Sequence, residues 1–163
     1  MKISEKWTYP ADIDRVWAMT TDQAFQEQKC ADSGAVSSSS SITASGDSTV
    51  IVNERDMPAD DLPDVLKKLI GSTIHVTETQ TWAPADGGGV RAAQLDVVLK
   101  GQPITMHGTV VARPEGEATT VALEADLKAA IPLLGGKLEK AAAPAILDGI
   151  RREQQTGNEY LAG

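Results

Sequence analysis

Three glutamates stand where a carboxylate can do chemistry. Glu5, Glu54 and Glu78 each share the alternation parity of the apolar residues in their own strand-like stretch: Ile3 and Trp7, Val50 and Val52, Ile74 and Val76. A carboxylate turned toward an apolar interior loses its hydration, its pKa rises, and it can give or take a proton near neutral pH. The plainer reading of the same pattern is that each glutamate sits near a strand end, where the sheet opens to water, or pairs with Arg91, Arg113 or Lys100. We prefer the plainer reading, because no polar triad accompanies the three.

The other reactive residue types point away from chemistry. Zinc needs three or four Cys, His or carboxylate ligands in a tight set, whereas this chain has the single Cys30 and two histidines with no short paired spacing. Neither a metal nor a cofactor is expected. His75 and His107 fall on the parity opposite their strands' apolar side, which places them on an outer face beside threonines. There is no Gly-x-Ser-x-Gly elbow, and Gly87-Gly88-Gly89 lacks the Lys-Ser/Thr end of a phosphate loop, so it reads as a hairpin tip.

The elements that would position these residues are legible from periodicity. Residues 2 to 9 alternate as a half-buried strand closed by Pro10, and Asp12 can cap a helix with Ile13, Val16, Trp17 and Met19 on one face. Thr21 or Asp22 caps a second helix through Phe25 to Lys29. Residues 34 to 43, including the run Ser37 to Ser41, and residues 48 to 55 form a hairpin about Gly46-Asp47, with the serine run as a polar edge strand. Leu62, Val65, Leu66, Leu69 and Ile70 make the apolar face of a short helix, with Pro63 in its first turn, Asp60 and Asp61 at its positive end and Gly71 at its stop. It reads as a connector docked on the core, with a lid hinged at Gly71 as the alternative.

Four further strands follow, at 73–82, 90–100, 104–112 and 117–127, separated by turns and no helix, which implies an antiparallel meander. The last element runs from about Pro132 to Leu161. Its stripe is Leu134, Leu138, Ala141, Ala142, Ala145, Ile146 and Ile150, and Pro144 should remove one backbone hydrogen bond and bend the axis.

Composition bounds the function. The 163 residues suit one domain, able to bury roughly 68–70% of its unfolded surface without disulfides. Fifteen basic against 23 acidic residues give a net charge of −8, the wrong sign for a phosphate-backbone binder, so nucleic acid is excluded as a partner. No stretch approaches the ~20 apolar residues of a membrane span. The start of the chain, charged at Lys2, Glu5 and Lys6, lacks an apolar signal region, and a cytoplasmic protein without stable membrane insertion is expected.

The order strand, helix, helix, six strands, long helix resembles the helix-grip fold of the START and polyketide-cyclase-like (SRPBCC) superfamily. Local marks are Tyr9-Pro10-Ala11 leading into Asp14-Arg15-Val16-Trp17, and Ile131-Pro132-Leu133-Leu134-Gly135-Gly136-Lys137-Leu138-Glu139-Lys140, which is similar to an uncharacterised actinobacterial branch. The resemblance implies an α+β fold over residues 1–163 as a single START-like domain, with a seven-stranded curved antiparallel sheet wrapped around the C-terminal helix. It also implies an internal cavity between sheet and helix. The expected wall is Trp7, Trp82, Leu95, Val97, Met106 and Leu123 from the strands and Leu138, Ala142 and Ile146 from the helix. Small residues on that helix face either leave space or simply permit close packing.

The leading function is therefore binding of a lipid-like or polycyclic hydrophobic small molecule. A cyclase or dehydratase-type enzyme using the same cavity and a cochaperone-like interaction domain are the alternatives.

Overall fold

The computed structural model describes residues 1–60 and 62–163. The chain runs β1 (Lys2–Tyr9), α1 (Ile13–Thr20), α2 (Gln23–Asp32), β2 (Ser37–Ser45), β3 (Ser48–Pro58), α3 (Asp64–Ile70), β4 (Thr73–Trp82), β5 (Arg91–Leu99), β6 (Ile104–Glu115), β7 (Ala118–Ala129) and α4 (Gly135–Ala162). The seven strands form one curved antiparallel sheet in the order β1-β7-β6-β5-β4-β3-β2, and its concave face is closed by α1, α2 and α4. This is the helix-grip architecture. Among the described residues no helix is long and apolar enough to cross a membrane.

Local chemistry explains the joints. Asp12 caps α1 by accepting from the Arg15 amide at 2.9 Å, and Asp22 caps α2 through the Ala24 amide at 3.0 Å. The serine run pairs with β3 from Ser37↔Asp56 to Ser45↔Ser48 and forms the sheet edge. Gly108 is required where β6 meets β7, because a Cβ there would lie 2.0 Å from the Glu124 carbonyl oxygen and 2.5 Å from Ala125 Cα. So close a backbone approach helps the sheet coil inward.

Three expectations change. In β3 the residues turned inward are Ile51, Asn53 and Arg55, not Val50, Val52 and Glu54, because register pairs them with Gln80, Glu78 and Val76 on the concave face of β4. Polar contacts outweigh hydropathy here: Asn53 donates to Gln26 at 2.9 Å and Arg55 to Glu78 at 2.8 Å. In α3 only Leu66 is fully buried, while Val65 is 41% and Leu69 38% exposed, so the helix of seven residues docks through Leu66, flanked by half-buried Leu62 and Ile70, rather than through the full stripe. The capping role expected of Asp61 lies outside the described residues. In α4, Leu134 and Ala145 are exposed, and Ala143 is buried beside Leu138. Pro144 lies inside a helix that continues to Ala162, on its exposed side.

Candidate functional site

Between the concave sheet face and the second half of α4 lies a cavity of about 80 Å³. Trp7 and Tyr9 of β1, Trp82 of β4, Leu95 and Val97 of β5, Met106, Val110 and Ala112 of β6 and Leu123 of β7 form its sheet wall. Val16, Met19 and Phe25 close it from α1 and α2, and Ile150 and Glu153 from α4. Trp17 backs Trp82 edge-on at 5.6 Å, with the Arg91 guanidinium 4.1 Å above the Trp17 ring.

The structure places all six expected strand residues, Trp7, Trp82, Leu95, Val97, Met106 and Leu123, on this wall. Leu138, Ala142 and Ile146 belong to the first half of α4 and lie off it: Leu138 is core, and Ala142 and Ile146 pack half-buried against that core. The small residues of that half let the helix sit close to its neighbours, and space opens only where Ile150 and Glu153 replace them.

The three glutamates separate. Glu5 pairs with Arg151 of α4 at 3.1 Å. Glu54 is exposed and borders a broad, open polar groove of about 340 Å³ that also touches Ser37, His75 and Lys100. That groove has no enclosed apolar wall, so the inner cavity is the better small-molecule site. His107 faces Asp96 on the exposed sheet face at 2.6 Å, and His75 contacts Asp56 on the same side.

Of the three, only Glu78 reaches the cavity, and it arrives neutralised. Its Oε1 accepts from Lys29 Nζ at 2.9 Å and Gln80 Nε2 at 3.0 Å, and its Oε2 accepts from Arg55 at 2.8 Å. Gln80 in turn accepts from the Trp82 indole N–H at 2.9 Å. Burial pushes the Glu78 carboxyl up, but the Lys29 and Arg55 charges outweigh it and hold the pKa down at about 2. Burial likewise opposes the Lys29 ammonium, and Glu153 and Glu78 more than compensate, raising it. Glu78 therefore stays ionised and Lys29 stays protonated at neutral pH, which leaves neither free for proton transfer or nucleophilic attack.

Lys29, Arg55 and Glu153 are the residues that sequence reasoning missed. Lys29 follows Phe25 by four positions and Gln26 by three, on the buried face of α2, and Glu153 follows Ile150 by three on α4. Those spacings were the available signal. Glu153 meets Lys29 at 3.5 Å, and burial raises its pKa, with Lys29 opposing and the Glu78 charge adding.

A family model described as "Protein of unknown function (DUF2505)" matches residues 4–161, and the chain belongs to that family. An uncharacterized protein of Mycobacterium tuberculosis is 26% identical over 96 residues, which are 58% of this chain and 55% of the relative, so the match spans about half the length of that relative. Among solved structures, a STAR-related lipid transfer protein (fragment 25–204) from Xanthomonas axonopodis superposes with a TM-score of 0.66 at 12% identity, covering 99% of this chain and 86% of that one. Zhui aromatase/cyclase from Streptomyces sp. R1128 superposes with a TM-score of 0.58 at 14% identity, covering 98% and 89%. At these identities the likeness is one of fold alone, the helix-grip fold.

Proposed function

We propose that this member of the DUF2505 family binds a small hydrophobic molecule, lipid-like or polycyclic, in the cavity between its sheet and C-terminal helix, with residues 1–163 acting as one START-like unit. The observation that carries the reading is the wall of Trp7, Trp82, Leu95, Val97, Met106 and Leu123, a largely apolar lining with a few polar groups. Two proteins of the same fold, a lipid transfer protein and an aromatase/cyclase, support it. Glu78, held ionised by two cations, speaks against the enzymatic alternative that rested on free inward carboxylates.

Size adds a requirement. The resting cavity of about 80 Å³ has room for a few waters at roughly 30 Å³ each, whereas sites for larger ligands span about 300–1,000 Å³. Binding must widen it, and the unbranched side chains of Met19 and Met106 on its wall are suited to yield.

The reading is tested by titrating the protein with 1-anilinonaphthalene-8-sulfonate (ANS) and following its fluorescence. Saturable enhancement is expected for the native protein. Ala112→Leu, which fills the cavity, should abolish the enhancement without lowering the unfolding temperature. No saturable signal, or an unchanged titration in A112L, overturns the proposal.

A further inference from the structure

The polar groups along the cavity wall are not equal, because most have already spent their hydrogen-bonding capacity on one another. Both Glu78 oxygens are occupied, by Lys29 and Gln80 on one and Arg55 on the other. Gln26 accepts from Asn53 and donates to the Thr20 carbonyl. Two groups stand apart. The Trp7 indole N–H is buried with no acceptor among the described residues, and Glu153 has Lys29 as its ion-pair partner, 3.5 Å away.

Both groups line the same cavity. Trp7 stands edge-on to Tyr9, with ring centroids 6.3 Å apart at 86°. Burial pushes the Tyr9 hydroxyl pKa up, and the Glu153 charge adds to that rise. The Trp7 N–H opposes it, close enough to be felt but outside hydrogen-bond geometry. The Tyr9 ring rests on Gly157, one turn beyond Glu153, where a Cβ would lie 2.5 Å from the hydroxyl oxygen. Strand β1 and the second half of α4 thus bring an unsatisfied donor and an under-used acceptor to the wall of one apolar space.

We infer that the cavity selects apolar molecules bearing a hydroxyl group, whose oxygen accepts from the Trp7 N–H and whose hydrogen donates to the Glu153 carboxylate. The inference rests on the ligand-binding reading above and deepens it. A hydroxyl is the small neutral group that serves both partners at once. A ketone would leave Glu153 without a donor, and an ammonium would leave Trp7 without an acceptor. A ligand carboxylate would, like a ketone, leave Glu153 without a donor. A site built around unpaired polar groups discriminates strongly against ligands that leave them unpaired.

The test compares 2-naphthol with naphthalene as competitors of ANS. In the native protein 2-naphthol should bind about tenfold more tightly or better, in line with the loss expected when one buried polar group is left unpaired. Trp7→Phe should retain naphthalene affinity, which shows that the fold and pocket persist, and lose most of the preference. Glu153→Gln should reduce the preference by weakening the acceptor. Equal affinity of the two probes, or full preference retained in W7F, overturns the hydroxyl subsite and leaves the ligand-binding reading standing. Failure of both probes to displace ANS overturns the two together.

Discussion

Inside this protein Glu78 joins two buried cations, Lys29 at 2.9 Å and Arg55 at 2.8 Å, and Glu153 adds a second carboxylate 3.5 Å from Lys29. Removing one member of such a set leaves its partners charged and desolvated, so Glu78→Gln should destabilise the fold by about 3–5 kcal/mol in urea denaturation. The same residue sets a pH dependence. Its carboxyl titrates at about 2 when folded against an ordinary value of 4.5, so its contribution is complete above pH 4.5 and is lost as pH falls from 4.5 toward 2. Glu153 has the opposite sign: its raised folded pKa means that folding takes up a proton there, so acidification through that value favours the fold. Chemical unfolding followed across pH 5 to 2 should show stability falling steeply in the native protein and a shallower slope in E78Q. A reader of the sequence could see that Glu78 points inward, because alternation in β4 is regular. The partners that decide its charge lie 49 and 23 residues away, on α2 and β3, and periodicity within one strand carries no information about them.

Elements differed in how openly the sequence announced them. β1 and β4 to β7 could be read from strict alternation, and α1 and α2 from their aspartate caps. In β3 the valines pointed to the wrong face, because an inward Asn53 and Arg55 satisfied by Gln26 and Glu78 outweigh the hydropathy of Val50 and Val52. A similar limit applies to α4. Its alanines and leucines identify a helix, but which part of it faces a void depends on where the sheet curves away. Gly108 is one determinant of that curvature, since its missing side chain admits the β7 backbone. Gly108→Ala should cost at least about 1–3 kcal/mol, the usual penalty of overpacking, and more because the obstructing atoms are backbone and cannot rotate aside. Thermal unfolding of G108A beside the native protein measures it, and an unchanged midpoint would show that the two strands can separate freely.

At the scale of the whole molecule the sheet, two short helices and a long one enclose a space that no single element contains. If ligands enter it, they must stabilise the folded state by mass action: a probe such as 2-naphthol at 100 times its Kd should add about 2.7 kcal/mol of stability and raise the unfolding temperature accordingly. An unfolding temperature indifferent to such a concentration would mean that the probe binds folded and unfolded chains alike. Length, the single cysteine and the sequence of alternating and helical periods were enough to determine the fold class and to exclude an intramolecular disulfide, because these follow from local patterning and composition. The strand side of the cavity, from Trp7 to Leu123, was legible for the same reason, since alternation decides which face a side chain takes. Tertiary structure alone decided that α4 contributes Ile150 and Glu153 rather than Leu138, Ala142 and Ile146, that Glu5, Glu54 and Glu78 diverge, and that Lys29 and Arg55 neutralise the one glutamate that stays inside. Register between strands and the height at which a helix crosses a curved sheet are set by contacts among residues distant in the chain, and a periodicity confined to one element cannot encode them.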